Sequence, residues 1–257
     1  MDPRQREQHI LVTGAGTGIG RAIATRLAQE GARVSLLGRR SGPLQETLAH
    51  IQGTPGDGLV LSGVDIRDAD AVRSAVAQAA AQFGPLRGVV ANAGLGGPNE
   101  PGPDDRWLDI VETNLHGTYH TVRAAQPHLA EGTTHIIITA SILARFGVPH
   151  YTAYCASKTG LLGLTRALAV ELAPQTRVNA ICPGWVSTDM AWQGIDAMAE
   201  GMGLTREEAL AEAMKPVPMG RMSDPEDVAG TVAWLLSNDA RGVTGSHVDI
   251  NNGAWMG

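Results

Sequence analysis

Short apolar runs alternate with longer amphipathic segments along this chain, and that alternation restricts the fold more than any other feature. A strand buried on both faces is a continuous apolar run, and such strands form parallel sheets that helices cover on both sides. The sequence therefore predicts a single doubly wound α/β domain over 1–257, with a parallel sheet of about seven strands flanked by helices. The predicted strands are 9–13, 33–38, 59–65, 86–94, 134–141, 177–184 and 247–253.

The segments between these strands predict helices over 20–31, 67–83, 107–130 and 152–173. Residues 189–222, rich in Met, Ala and Gly, break the pattern after the sixth strand. A long insertion after the carboxyl end of a strand commonly covers a ligand, so we expect a substrate-loop insertion here. An ordinary helical excursion is the alternative. Residues 1–8 are expected to be flexible.

Charge and composition disfavour several classes of function. A net charge of −6 without a Lys/Arg run disfavours nucleic-acid binding. Only two cysteines occur and no CxxC pair, which is typical of free thiols in the cytoplasm. Neither a signal peptide nor a membrane span is expected, because long apolar runs are missing. His116 and His120 stand four residues apart without an evident third ligand, so we expect no metal.

The glycines of "VTGAGTGIG" predict a phosphate site directly after the first strand. The GxGxxG register fails because Ile19 occupies the third glycine position, but Gly14, Gly18 and Gly20 fit GxxxGxG. Glycines here let the backbone turn sharply and approach a pyrophosphate, which then meets the N–H groups of the following helix. A strand–loop–helix setting makes this a dinucleotide site of the Rossmann type, and Thr17 belongs to the same loop.

The end of the second strand indicates which dinucleotide binds. An NAD site usually places a carboxylate there, for the ribose hydroxyls. This chain instead has Arg39 and Arg40, and an arginine can fork onto a 2′-phosphate. NADP(H) is therefore favoured, NAD(H) is possible, and two solvated surface charges are the alternative.

Two tyrosines three residues apart are candidates for acid–base chemistry. Only Tyr154 stands four residues before a lysine, Lys158, and residues at that spacing share one face of a helix. Tyr151 has Cys155 at the same offset. The spacing therefore selects Tyr154.

In combination, these motifs resemble those of the short-chain dehydrogenase/reductase family, in its form of about 250 residues. The resemblance runs over roughly 10–253, nearly the whole chain. One departure is Ala91, where many members have asparagine. The motifs that carry the resemblance are Thr13-Gly14-xxx-Gly18-x-Gly20, Asn92-Ala93-Gly94, Asn114, Ser141, Tyr154-xxx-Lys158 and Pro183-Gly184.

The resemblance implies an oxidoreductase that interconverts a ketone and a secondary alcohol by hydride transfer. Tyr154 would exchange the proton, with its pKa lowered by the Lys158 ammonium and by oxidised nicotinamide. Lys158 would also bind the nicotinamide ribose, and Ser141 would hydrogen-bond the substrate oxygen. Asn114 would hold a water that links Lys158 to solvent.

Further cofactor contacts are implied by the same resemblance. Asp65 would accept a hydrogen bond from the adenine amino group, with Ile66 beside it. The remaining implied contacts, from the adenosine ribose to the nicotinamide, are Asn92, Gly94, Pro183, Gly184, Val186 and Thr188.

The substrate-pocket candidates are residues that precede Tyr154 or follow the sixth strand. They are Leu143, His150, Tyr151, Trp185, Met190 and Trp192. A β-ketoacyl thioester, a polyketide-like ketone or an aromatic or alicyclic ketone would each be a possible substrate. The alternative functions are an NAD-dependent secondary alcohol dehydrogenase and a non-catalytic dinucleotide-binding sensor. By resemblance we expect a homotetramer, or a homodimer, joined through 107–130 and 152–173.

Overall fold

One sheet of seven parallel strands runs through the structure, a computed structural model that describes residues 5–257. The order is β3-β2-β1-β4-β5-β6-β7, and all six neighbouring pairs are parallel. This order confirms the predicted fold class. The strands are β1 (His9–Thr13), β2 (Arg33–Leu37), β3 (Asp57–Leu61), β4 (Gly88–Ala91), β5 (Thr134–Thr139), β6 (Thr176–Pro183) and β7 (His247–Ile250).

Helices cover both faces of the sheet. On one face α3, α5 and α6 bury their apolar sides, and on the other α1, α2 and α9 do so. This double cover explains why the strands are apolar throughout. The helices are α1 (Gly18–Gln29), α2 (Ser41–Ile51), α3 (Ala69–Phe83), α4 (Trp107–Val111), α5 (Gly117–Ala125), α6 (Thr152–Glu171), α7 (Asp189–Met202), α8 (Arg206–Met214) and α9 (Pro225–Leu235).

The structure differs from the predicted elements in three main respects, beyond shifts of a few residues at strand and helix ends. β3 ends at Leu61 rather than at 65, because the chain turns back through Gly63, whose φ is +76°. The helix expected over 107–130 consists of α4, a π-helical turn over Glu112–His116, α5 and a 3₁₀ turn over Gln126–His128. α2 and α9 have no counterpart among the predicted elements.

The stretch 189–222 forms two helices with a small core of their own. α7 and α8 bury Ile195, Ala209 and Met214 against each other. Gly203, with φ +67°, turns the chain between them, and a capping box of Thr205 and Glu208 starts α8. Its role as a cover over ligands stays a prediction.

From residue 5 onward the chain is attached to two helices, earlier than expected. Residues 1–4, part of the segment 1–8 expected to be flexible, lie outside the described residues. Gln5 is buried, and its backbone N–H donates to the carbonyl of Glu30 at 3.0 Å. The Gln5 side chain also donates to the carbonyl of Ala233 at 3.2 Å. These bonds hold residue 5 against α1 and α9. Within residues 5–257, no helix is long and apolar enough to cross a bilayer.

His135 gives the protein an expected sensitivity to acid. It lies on β5, is 4% exposed, and has its pKa lowered to about 3 by burial and by the charges of Arg177 and Arg87. A histidine in the unfolded chain titrates near 6.5. Between these two pKa values the unfolded state binds a proton that the folded state does not, so stability falls as the pH falls. The loss is on the order of a few kcal/mol.

We therefore expect the Tm of the wild type to fall between about pH 7.5 and pH 5, and His135→Gln to reduce that fall. Some fall remains in the variant, because burial also lowers the pKa of His9. The exposed His50, changed to Gln, is the control and keeps the wild-type dependence. Differential scanning fluorimetry across pH measures this. An unchanged dependence in His135→Gln would remove His135 as the cause.

Candidate active site

The loops that follow β1 and β4 are held together at the carboxyl edge of the sheet. The Thr13 hydroxyl oxygen accepts from the backbone N–H groups of Asn92 and Ala93, both at 3.0 Å. The Asn92 amide donates back to the carbonyl of Thr13 at 3.1 Å. Strand order reverses between β1 and β4, and in open α/β sheets the crevice at such a reversal is where ligands bind.

The glycine loop lies at this crevice and needs its glycines. Gly14 and Gly18 have φ of +66° and +51°, a region that favours glycine. A Cβ on Gly20 would overlap the carbonyl oxygen of Gly14. Thr17, at the N-cap of α1, makes no side-chain capping bond, so the first N–H groups of the helix have no side-chain cap to compete with a phosphate. Ile19 packs against the core beneath.

Arg39 and Arg40 follow β2 and are both exposed. Neither takes part in an ion pair among the described residues, and Arg39 is close enough to Asp65 to lower the pKa of that carboxyl in part. Two exposed arginines therefore provide positive charge directly after β2.

Asp65 is engaged by a residue that the sequence motifs did not indicate. Arg67 donates to both of its oxygens, with Nη2 at 2.7 Å from Oδ2, and this bond is the main cause of its lowered pKa. Arg67 also pairs with Asp109 at 2.8 Å. The carboxylate expected to accept from adenine therefore already accepts from a guanidinium, while Ile66 is buried beside it. The sequence signal that could have identified Arg67 is its place two residues after Asp65, a spacing at which an acid and a base can pair.

Tyr154 and Lys158 lie together on α6. The Lys158 ammonium is 5.6 Å from the centre of the Tyr154 ring and donates to the carbonyl of Thr139 at 2.8 Å. Lys158 is 4% exposed, and burial lowers its pKa to about 8. The structure thus brings together the pair that the spacing selected, with Thr139 as an additional partner.

The pKa of Tyr154 differs from the expectation. Burial raises it above the ordinary value for a phenol, and a hydrogen bond with Ser141 lowers it only in part. In the protein alone Tyr154 is therefore a protonated phenol, the form that donates a proton.

Asn114 is fully buried in the π-helical turn between α4 and α5. Its Oδ1 accepts from the backbone N–H of Leu95 at 2.7 Å, and its amide donates to Leu95 O at 2.9 Å and to Ser157 Oγ at 3.1 Å. A Cβ on Gly94 would lie 3.0 Å from Asn114 Oδ1 and 3.4 Å from Lys158 Nζ. Gly94 therefore allows the loop after β4 to approach both residues, and π-helical turns are frequent at functional sites.

The chain after β6 closes the crevice from the other side. Gly184 follows Pro183, and a Cβ on it would lie 3.0 Å from Asn251 Cα. Val186 is buried and bridges to Ser223. Thr188 caps α7, and its methyl group would lie 3.0 Å from a Cβ on Gly18. The segment expected at the nicotinamide thus contacts the glycine loop directly.

The six pocket candidates separate into three pairs. Near Tyr154, the Tyr151 ring packs edge to face at 6.4 Å, and Leu143 donates its N–H to Ser141 Oγ at 3.2 Å. Met190 and His150 are exposed: Met190 contacts the backbone at Gly96, and His150 pairs with Glu100 at 2.6 Å. Trp185 and Trp192 differ from expectation.

Those two tryptophans pack with the α7–α8 core. Trp192 donates to Ser187 Oγ at 3.2 Å and lies under the Arg206 guanidinium at 5.6 Å. Both side chains are thus part of the apolar cluster that α7 and α8 form with each other. That these two tryptophans line the substrate pocket stays a prediction, and their contacts do not support it.

His116 and His120, at which no metal is expected, lie in the π-helical turn and in α5. His120 Nδ1 is hydrogen-bonded to the carbonyl of Ile66 at 3.2 Å. Among residues 5–257, no group of three or more His, Cys, Asp or Glu side chains is placed to hold a metal ion.

Known proteins resemble this chain over its whole length. Residues 14–254 match the family described as enoyl-(acyl carrier protein) reductase. A protein of Streptomyces coelicolor, provisionally named ketoacyl reductase, is 37% identical, with 97% of each chain covered. A short-chain dehydrogenase/reductase from Brucella melitensis has a similar crystal structure, with a TM-score of 0.88, 30% identity and all of both chains covered. A variant of the actinorhodin polyketide ketoreductase, solved with NADPH, gives a TM-score of 0.90 at 36% identity, covering 97% of this chain and 98% of that one.

Proposed function

The chain belongs to the short-chain dehydrogenase/reductase family of oxidoreductases, and from that premise we propose that it is an NADP(H)-dependent ketoreductase. The observation that carries the proposal is the cluster of Tyr154, Lys158 and Ser141 at the carboxyl edge of the sheet. Its tyrosine is protonated in the protein alone, because burial raises the pKa of the phenol. A protonated phenol suits reduction, in which a proton must be given to the carbonyl oxygen.

The crevice fits a dinucleotide. Glycine at position 20 leaves a cradle that a Cβ would fill, and α1 begins there without a side-chain cap. Gly14, Gly18 and Gly20 would hold the pyrophosphate, Arg39 the 2′-phosphate and Lys158 the nicotinamide ribose. When bound, the cofactor supplies the hydride that the carbonyl carbon receives.

The residues of the chain would bind the carbonyl oxygen of the substrate and supply its proton. Ser141 Oγ would hydrogen-bond the carbonyl oxygen as negative charge develops on it. The Tyr154 hydroxyl would transfer its proton to the same oxygen and be left as phenolate. Lys158, 5.6 Å from the ring, would stabilise that anion, and a proton relayed from solvent through the region of Asn114 and Lys158 would restore the phenol.

The substrate class we propose is a β-ketoacyl or polyketide-like ketone. The names of the Streptomyces coelicolor relative and of the actinorhodin enzyme support this choice. An alicyclic or aromatic ketone is the second candidate, because Tyr151 places an aromatic face beside Tyr154. The test is oxidation of NADPH by the purified protein with a β-ketoacyl thioester, a bicyclic ketone and an alicyclic ketone. Tight cofactor binding without turnover of any ketone would favour the non-catalytic sensor instead.

Cofactor preference has a direct test at Arg39. We expect Arg39→Ala to weaken NADPH binding by about ten- to one-hundredfold, the range for losing a charge-assisted bond, and NADH binding by less than about twofold. Fluorescence titration of both cofactors measures this. The exposed Arg241, at the other edge of the sheet, is the matched control when changed to Ala.

Arg40→Ala shows whether the second arginine shares the phosphate. If NADH binds more tightly than NADPH to the wild type, both arginines are surface charges. An NAD-dependent secondary alcohol dehydrogenase then becomes the better description, and alcohols with NAD⁺ should be screened.

We also propose a homotetramer assembled through α4, α5 and α6. Apolar side chains are exposed along these helices, including Leu108 at 67% and Val170 at 82%. Such exposure is unusual for a surface that stays in water. A monomer in multi-angle light scattering would rule out this assembly; a dimer would leave one of the two expected interfaces. A cytoplasmic location is proposed from the free thiols of Cys155 and Cys182, and cell fractionation tests it.

A further inference from the structure

The helix that carries Tyr154 and Lys158 starts without a cap of its own. α6 begins at Thr152, and Tyr151 at the N-cap position makes no side-chain capping bond. Tyr154 is the third residue of this helix, so it lies in the first turn, where backbone N–H groups lack helical partners. An uncapped first turn frays readily, and fraying would displace the phenol.

Asn99 supplies the missing cap from a distant loop. Its Oδ1 accepts from the backbone N–H of Ala153 at 2.9 Å and from the Thr152 hydroxyl at 3.1 Å. Its own backbone N–H donates to the carbonyl of His150 at 2.7 Å. Every other residue from 98 to 108 is exposed, whereas Asn99 is 5% exposed. A single buried side chain therefore anchors this loop to the start of α6.

The same side chain reaches a second helix. Asn99 Nδ2 donates to Asp105 Oδ1 at 3.1 Å, and that oxygen also accepts from the backbone N–H of Trp107 at 2.9 Å. Trp107 begins α4, which leads into the π-helical turn that holds Asn114. Asn99 thus links the start of the helix with Tyr154 to the start of the helical segment with Asn114.

We propose that Asn99 is a positioning residue, which holds Tyr154 at the geometry for proton transfer by capping α6 from the loop between β4 and α4. This inference rests on the proposed function. A displacement of about 1 Å at a reacting group can cost on the order of one-hundredfold in rate. Loss of the cap on the first turn is therefore expected to lower kcat strongly.

Asn99→Ala removes the cap and the link to Asp105. We expect kcat to fall about ten- to one-hundredfold, while the dissociation constant for NADPH stays within about twofold, because the glycine loop lies elsewhere. Hydrogen exchange at the backbone amides of 152–156 is expected to become faster.

Asn179→Ala is the matched control. Asn179 is equally buried, donates to the carbonyl of Val243 at 2.9 Å and accepts from the N–H of Ser246 at 3.1 Å. It has the same kind of linking role, away from α6. We expect a lower Tm with unchanged exchange at 152–156 and an unchanged kcat per folded molecule.

Exchanging the amide and the carboxylate between positions 99 and 105 tests the hydrogen bonds that Asn99 makes. Asn99→Asp keeps the acceptor for Ala153 but places a carboxylate against Asp105, so activity is expected to fall and to recover partly at lower pH. Adding Asp105→Asn puts the amide donor at position 105 and leaves the carboxylate acceptor at position 99, so the hydrogen bond between the two side chains can form again. The double variant should return kcat to within about threefold of the wild type, since neighbouring effects are not additive.

These outcomes separate the inference from the function on which it rests. If the wild type reduces a ketone and Asn99→Ala keeps its kcat within about twofold, the positioning role is wrong. If the wild type reduces none of the ketones, the proposed function fails, and hydrogen exchange alone decides on Asn99. Unchanged exchange at 152–156 in Asn99→Ala would then overturn the inference.

Discussion

Tyr154→Phe is expected to lower kcat about one-thousandfold while leaving the dissociation constant for NADPH within about twofold, because a positioned general acid contributes on the order of 10²- to 10⁴-fold. The phenyl ring keeps the edge-to-face contact with Tyr151 and the position above the Lys158 ammonium. Only the phenol hydroxyl, whose pKa the Ser141 side chain helps to lower, is lost. The measurement is ketone-dependent oxidation of NADPH, with cofactor titration alongside.

The chain offers two comparisons for this variant. Tyr119 is 43% exposed on α5, so Tyr119→Phe should retain wild-type turnover. Tyr151→Phe should change kcat by less than about fivefold, since no proton transfer is assigned to that hydroxyl. Turnover by Tyr154→Phe within about tenfold of the wild type would exclude Tyr154 as the proton donor.

Gly20→Ala is expected to weaken NADPH binding about one-hundredfold. The added methyl would overlap the carbonyl oxygen of Gly14 and crowd the Asn92 amide nitrogen, at 2.6 Å. Backbone cannot yield as a flexible side chain does, so the glycine loop must shift away from the position in which its N–H groups meet a phosphate. An overpacked site typically costs about 1–3 kcal/mol, which corresponds to roughly five- to one-hundred-and-fiftyfold in affinity.

Gly230→Ala is the control for the general effect of adding a methyl group. Gly230 lies in α9, and a Cβ there would meet only Arg26 Nη1 at 3.8 Å, an ordinary contact. Alanine should raise the Tm slightly through helix propensity and leave NADPH binding unchanged. Fluorescence titration of both variants decides the matter, and equal affinities would mean that the glycine loop does not hold the cofactor.

Patterns of neighbouring residues predicted the strands of the sheet well. They fail where contacts with residues distant in the sequence determine the structure. The runs at 9–13 and 134–141 are apolar because helices cover both of their faces, so the sequence shows them directly. The glycine spacing and the Tyr154–Lys158 offset are also short-range signals. By contrast, the end of β3 depends on a turn at Gly63, and the division of 107–130 depends on a π-helical turn around Asn114.

Site residues that act through distant contacts were not predictable in the same way. Asn99 stands in a loop of exposed Gly, Pro and Asp residues, and nothing in that stretch indicates that one amide reaches Ala153. The raised pKa of Tyr154 follows from desolvation in the folded protein, whereas the spacing to Lys158 predicts only proximity. Trp185 and Trp192 are apolar wherever they lie, so composition cannot separate a pocket wall from a helix contact.

The contact between Thr188 and the loop at Gly18 has a consequence for the folding of the protein during its synthesis on the ribosome. Domains acquire structure as they emerge, from the amino terminus onward. The phosphate loop is synthesised early, yet the segment that closes over it emerges only after β6. Any cofactor contact that needs this closure can therefore stabilise only the completed chain, by mass action. NADPH would then protect the finished protein against unfolding, and not the chain that is still being made.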